Sequence, residues 1–344
     1  MRILVLGNQG YVGPVVTQYL YRLGNFEIDG LDTGFFAQCL TSIERFPEFG
    51  IRAQFFKDVR DIVADDVAGY DVIVYLAAVS NDPMGKEFVE PTYEINQAAA
   101  INVAKLAAKK NVTHFIFASS CSVYGAADGK RSELSPLNPL TAYANSKIGT
   151  EKALQDFATE TFRVTCLRFA TACGWSPRLR LDLVLNDFVA SAIATRQIEI
   201  LSDGTPWRPL IHVEDMARAI AWAIQRNNGN PFLSVNVGSD QWNFQVSDLA
   251  ETVSKFIKGT KVKVNTDAPP DNRSYQVDFS LYMKLAPKYQ PQVSLEEAVI
   301  GLIEGLNKLS FNDTSFRDSN LLIRLNTLRM HMKNQQINKN LRWS

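Results

Sequence analysis

An α/β fold, a doubly wound parallel sheet followed by a smaller carboxyl-terminal α/β lobe, is predicted by three features of the sequence. Short apolar runs alternate with helical patterns through the first half. A glycine-rich turn at Gly7, Gly10 and Gly13 directly follows the first run. After about residue 173 the alternation loosens. Alternation of this kind argues for a parallel sheet covered by helices on both faces.

In order, the runs Ile3–Leu6, Glu27–Leu31, Ala53–Phe56, Val72–Leu76, Phe115–Ala118 and Val164–Phe169 predict strands. Residues 11–23, 61–68, 92–110 and 142–162 predict helices between them. Beyond them, helices are expected over 183–195, 213–226, 246–256 and 295–309, with short strands at 198–201 and 233–237. Pro269, Pro270 and Asp271 mark a loop. The expected organisation is a nucleotide-binding domain over 1–172 and a substrate lobe over 173–310, partly interleaved. A basic tail follows over 311–344. It carries Arg317, Arg324, Arg329, Lys333, Lys339 and Arg342, and its Leu321, Leu322, Leu325, Leu328 and Met332 recur at near-helical spacing. That pattern predicts a peripheral or partly ordered helix; the alternative is a docking helix for a second subunit.

Of the 344 residues, 46% are hydrophobic and 21% charged, and the net charge is zero. This balance argues against a broad nucleic-acid or membrane footprint. The chain enters the run Arg2–Leu6 at once, without a signal-peptide layout, and no apolar run is long enough to span a bilayer. Cys39, Cys121, Cys166 and Cys173 lack paired metal spacing, and His114, His212 and His331 are scattered. No metal site is expected, and the thiols read as buried groups of a reducing cytoplasm.

Gly7, Gly10 and Gly13, with Tyr11 and Val12 between the last two, sit after a strand and before a helix. There they allow a tight turn and let a dinucleotide pyrophosphate approach N–H groups at the helix start, as in a Rossmann-type domain. Asp32 ends the second run, where a carboxylate can accept hydrogen bonds from the adenosine ribose and repel a 2′-phosphate. No Arg or Lys follows until Arg45, so NAD is favoured over NADP. Asp58 and Val59 could meet the adenine edge. Leu76, Ala77 and Ala78 suit a backbone passing close to the cofactor.

Ser120 ends a buried strand, and Tyr143 and Lys147 open the helix after it. Residues four apart share a helix face, so the Lys147 ammonium is expected to lower the Tyr143 pKa. Bringing a phenol from about 10 to near neutral costs roughly 4 kcal/mol. Tyr143 would then act as general base for a substrate hydroxyl, with Ser120 sharing the proton. A Tyr-x3-Lys spacing alone is weak among eleven tyrosines. Its force comes from its place after the strand-borne serines and the glycine turn.

With these residues in hand, residues 1–305 resemble an extended short-chain dehydrogenase/reductase of the nucleotide-sugar epimerase/dehydratase group. The motifs are Gly7, Gly10 and Gly13; Asp32; Asp58; Leu76 to Ala78; Asn96; Ser120; Tyr143 with Lys147; and Ile211 to Asp215. The resemblance implies that Tyr143 takes a proton from a sugar hydroxyl, commonly at C4, while the nicotinamide takes the hydride. It also implies that Lys147 binds the nicotinamide ribose, that Ser120 holds the hydroxyl, and that Asn96 belongs to the cofactor site. Arg208 and Arg273 resemble the arginines that grip the substrate's phosphates, which suits their planar, bidentate chemistry. Asp82 lies where the family faces the sugar, and Asn81, Asp82 and Pro83 also make an ordinary turn. Arg178 and Arg180 read equally as anion contacts or as salt bridges of the lobe.

Departures narrow the chemistry. Where 4,6-dehydratases carry an Asp–Glu pair after the catalytic Ser/Thr, this chain has Cys121 and Ser122. Ser122 also takes the place of the 3,5-epimerase cysteine, and a one-residue shift turns the Cys121 thiol to the opposite side. Thr171 stands where an Asn often contacts the substrate phosphate. The leading expectation is an NAD-dependent nucleotide-sugar 4-epimerase. The alternative is an NAD(P)-dependent 4-ketoreductase or dehydrogenase, and a non-catalytic nucleotide-binding protein on the same scaffold comes last. A homodimer is expected, since relatives often pair through the helices at 92–110 and 142–162.

Overall fold

A computed structural model of the chain describes residues 1–41, 45–127, 129–265 and 274–344. Its centre is a seven-stranded, all-parallel sheet. The order across it is 232–237, 163–169, 114–120, 72–75, 2–6, 27–32, 53–56. The order reverses between the strands Arg2–Leu6 and Val72–Tyr75, which opens a crevice at their carboxyl ends. Ile3, Leu4, Val5 and Leu6 are wholly buried, because helices cover both faces of the sheet. Each such side chain contributes about 1.5–3 kcal/mol relative to exposure. On one face the helices Gly13–Arg22 and Val213–Ile224 pack together. Three smaller sheets build the lobe. One of them aligns Thr171–Cys173, Trp207–His212 and Asn243–Gln245.

The strand Phe232–Val237 pairs in parallel with Arg163–Phe169, so a segment beyond residue 172 completes the nucleotide sheet. The two parts of the chain interleave there. The helix expected at 61–68 is replaced by short turns at Val59–Asp61 and Ala64–Val67. The Asp58 carboxylate accepts from Arg60 N at 2.8 Å and that of Asp66 from Val63 N at 2.7 Å. Such side-chain bonds compete with helix formation. The stretch 92–110 is broken into Val89–Tyr93, a π-helical turn at Glu94–Ala99, and Ala100–Lys109. The helix from Ala142 stops at Gln155. The tail is not peripheral: its helix Arg324–Lys333 buries Leu328, and Ile337 and Leu341 join the same core. No helix among the described residues is long and apolar enough to cross a membrane.

Candidate functional site

A cavity of about 1160 Å³ opens at the crevice and runs into the lobe. Pockets for one drug-sized ligand span roughly 300–1,000 Å³, so this one suits a pair of ligands. Gly7, Gly10, Tyr11, Val12, Gly13, Asp32, Asp58, Val59, Leu76, Ala77 and Ala78 all line it.

The glycine turn has steric causes. Gly7 has φ +87°, and a Cβ on it would lie 2.5 Å from Ala77 N, so two loops of the crevice meet there. A Cβ on Gly13 would strike the Asn8 backbone. Gly10 differs: a Cβ there would meet only Gly7 O, at 3.4 Å. The helix Gly13–Arg22 begins without a side-chain cap; Pro14 has no N–H and Val15 N donates to Val12 O at 3.1 Å, so the Gly13 N–H is the one at the helix start left for a ligand. Asp32 accepts from Gln9 N at 3.0 Å and from Gly34 N at 2.8 Å. A carboxylate offers about four acceptor positions, so others remain for a ligand. Burial raises the Asp32 pKa, and the two N–H groups act against that rise.

Ser120, Tyr143 and Lys147 converge on the same cavity. Thr141 caps the helix Ala142–Gln155 by accepting from Ala144 N at 3.1 Å, which places Tyr143 in its first turn. The Tyr143 and Ser120 hydroxyls are neighbours, and Ser120 acts to lower the Tyr143 pKa. Ser120 Oγ also accepts from Ser122 N at 3.1 Å. Lys147 Nζ donates to Ala118 O at 2.7 Å and lies 5.5 Å from the Tyr143 ring centre.

The expected Tyr143 shift is reversed in the protein itself. Enclosure pushes the phenol up to about 12, against the lowering pull of Ser120. Burial likewise brings Lys147 from its ordinary 10.5 down to about 7, opposed by the Glu151 carboxylate. Spacing supplied proximity, but desolvation outweighs it.

Lys147 thus carries a stability consequence. From about pH 7 to 10.5 the unfolded chain holds a proton that the folded chain lacks, so stability climbs with pH across that window. Lys147→Met removes this penalty. Without NAD, the variant should have the higher urea midpoint at pH ~7, and the gap should shrink towards pH ~10. A gap that stays constant with pH would mean that the ammonium is well solvated.

The floor of the cavity beyond these residues is polar. The Asp82 carboxylate accepts from Thr141 Oγ1 at 2.8 Å. Arg180 forks onto Asp182 at 2.9 and 2.8 Å and donates to Ser80 Oγ at 2.9 Å. Asn81 Nδ2 donates to Asp182 at 2.9 Å. Ser122 Oγ is buried without a hydrogen-bond partner, and Ser122 lines the cavity. Thr171 and Arg208 line the lobe side, and Arg208 Nη1 donates to Trp207 O at 2.9 Å. Arg273 lies outside the described residues. Arg178 does not line the cavity and pairs with Glu48 at 2.7 Å.

Asn96 is a correction. It is fully buried, and its amide is spent within the protein, on Val79 N at 2.8 Å, Val79 O at 3.0 Å and Ser146 Oγ at 3.2 Å. It fixes the backbone beyond Ala78 and does not line the cavity. Cys121 also faces away: its thiol donates to Arg168 O at 3.1 Å, and burial raises its pKa. Among the described residues no cluster of three or more His, Cys, Asp or Glu could hold a metal ion.

The model of the NAD dependent epimerase/dehydratase family matches residues 3–238, more than half of the chain. The chain belongs to that family. An uncharacterized UDP-glucose epimerase, YtcB, of Bacillus subtilis (strain 168) is 27% identical over 326 residues, covering 90% of this chain and 99% of that protein. A dTDP-glucose 4,6-dehydratase of Actinoplanes sp. is 23% identical, covering 87% and 95%. The solved UDP-glucuronic acid 4-epimerase from Bacillus cereus, in complex with NAD, superposes with a TM-score of 0.78 at 21% identity, over 91% of this chain and 98% of that one. For this epimerase/dehydratase family member the cofactor is NAD. The uncapped helix start, the open side of Gly10 and the remaining acceptor positions of Asp32 fit that group.

Sequence reading missed Thr141 and Ser80, ordinary polar residues whose roles depend on partners far along the chain. It also left the role of Arg180 open. A fork between residues 180 and 182 is readable as a pair, but nothing local says that it faces Ser80.

Proposed function

We propose that this epimerase/dehydratase family member is a nucleotide-sugar 4-epimerase acting through a transient 4-keto sugar. The observation that carries this reading is the Ser120–Tyr143 hydroxyl pair backed by Lys147, in a cavity whose wall after Ser120 offers no carboxylic acid. Bound NAD supplies the hydride acceptor and returns the hydride. Tyr143 takes the proton of the C4 hydroxyl and gives it back after the sugar has presented its other face. Ser120 shares that proton and holds the oxygen as charge develops on it. Lys147, once beside the ribose hydroxyls and charged, favours the phenolate and so offsets the burial that holds Tyr143 up. Ser122, Asp82 and Arg180 face the hexose, and Arg208 and Thr171 face the diphosphate side.

Eliminating water needs an acid and a base at neighbouring carbons. Cys121 is turned away and Ser122 is an alcohol, which argues against dehydration. The relatives' names point to UDP-sugars as the first substrates to try. Incubation with catalytic NAD and each UDP-sugar, followed by proton NMR, should give the C4 epimer with no net NADH. Stoichiometric NADH, or reduction that requires NADPH, would shift the assignment to a dehydrogenase or ketoreductase.

A further inference from the structure

The tail is joined to both sides of the cavity's cofactor half. On the lobe side, Arg317 forks onto Asp187 at 2.9 and 2.8 Å, and Leu181 N donates to Leu322 O at 3.0 Å. On the sheet side, His331 Nε2 meets Phe35 O at 3.0 Å, beyond the strand that ends in Asp32. The end of the tail then closes over the adenosine corner. Trp343 Nε1 donates to Thr33 O at 2.7 Å, and its ring lies 5.2 Å from that of Phe35. Arg60 donates to Asn340 O at 2.7 Å and Leu341 O at 2.6 Å while also holding Asp58. Arg342 pairs with Asp61 at 2.5 Å.

Leu328 and Leu341, each 1% exposed, pack in one core with Leu31, Phe35 and Val59. Both also line the cavity alongside Asp32 and Asp58. The tail therefore supplies wall residues to the region that the family fills with the adenosine half of NAD, and it fixes both loops that carry the candidate acidic contacts.

We propose that the tail is part of the cofactor site: Leu328 and Leu341 form its outer wall, and Arg342 and Trp343 latch that wall to the loops after the second and third strands. The dinucleotide then leaves only when the latch opens, and it stays bound while sugars exchange. A retained cofactor suits a reaction that returns its hydride and hinders one that must renew NADH each turnover. The inference rests on the family's cofactor and not on the sugar chemistry above, so the two fail separately.

The test uses the full chain loaded with NADH, with no sugar present. Fluorescence reports NADH release after a chase with excess NAD. Trp343→Ala should release NADH at least tenfold faster than the parent. Trp343 is 45% exposed, and a circular dichroism melt of the cofactor-free protein checks that the fold survives. A double variant, Arg342→Ala with Asp61→Ala, severs the latch at a second, solvent-facing point and should also speed release. Trp343→Phe keeps the ring contact and should fall between the parent and Trp343→Ala. Release within twofold of the parent in both Trp343→Ala and the double variant would overturn the proposal. So would failure of the parent to bind NADH. Unchanged release counts against the latch alone, whatever the parent does to a sugar, and fast release supports the latch even where the parent epimerises no sugar.

Discussion

Replacing Tyr143 with Phe is expected to cut turnover by about 10²–10⁴-fold, the usual contribution of a positioned general acid–base. The substitution keeps the ring and the helix start that Thr141 caps, and removes only the oxygen that neighbours Ser120. Bound NAD, assayed by denaturing the purified protein and quantifying what is released, should be unchanged. Ser120 cannot take over: an isolated serine hydroxyl is a far weaker base than a phenolate. The measurement is kcat on whichever UDP-sugar the parent converts. Turnover near the parent's would remove Tyr143 from the proton step and direct attention to Asp82, a cavity carboxylate whose charge raises the Tyr143 pKa.

The largest stability loss is expected behind the site, at the pair of Glu151 and Arg168. Both are almost fully buried, with 6% and 7% of their side chains exposed. Arg168 Nη2 donates to Glu151 at 2.7 Å, and Nε bridges both of its oxygens at 3.1 Å. Ser119 also donates to Glu151, Ser234 Oγ donates to it at 3.0 Å, and Arg168 Nη1 donates to Tyr124 Oη at 3.0 Å. Arg168→Ala leaves a buried carboxylate without its cation, and breaking such a pair typically costs about 3–5 kcal/mol. Urea unfolding at neutral pH should show that loss. A double variant, Glu151→Leu with Arg168→Met, should recover part of it, since an apolar pair of similar volume removes the stranded charge. A loss under about 1 kcal/mol in Arg168→Ala would mean that the pair is not the buried ion pair its geometry implies. Glu151 also faces Lys147 from one helical turn away, so the pair links sheet stability to the charge behind Tyr143.

Much of the nucleotide half is legible in the sequence because its signals are local. A strand, a glycine turn and a helix start lie within the first 13 residues, and the turn meets Ala77 at the crevice. Ser120, Tyr143 and Lys147 are likewise placed by one strand end and the next helix start. Spacing failed where burial decides. It put Lys147 near Tyr143 but could not register that both groups are desolvated, so the direction of the phenol's shift came out reversed. The resemblance alone assigns Asn96 to the cofactor site, and no local signal shows that the π-helical turn aims its amide at Val79. Where a helix is expected over 61–68, Asp58 and Asp66 instead accept from the nearby backbone N–H groups of Arg60 and Val63. The tail was least legible, because its leucines signal a helix and nothing near them in sequence names Phe35 or Val59 as the surface they cover.

The bond from Trp343 to Thr33 spans 310 residues. At about 5–20 residues per second, that separation corresponds to roughly 15–60 s of translation. During that interval a nascent chain has its glycine turn and Asp32 loop but neither Leu341 nor the indole that covers Phe35. NAD captured early would be held by half a site. Firm loading therefore belongs to the chain after residue 343 has been added, and until then the apolar surface around Leu31, Phe35 and Val59 lacks its cover. Crowded conditions that slow the last steps of synthesis would lengthen the period in which that surface can meet other chains.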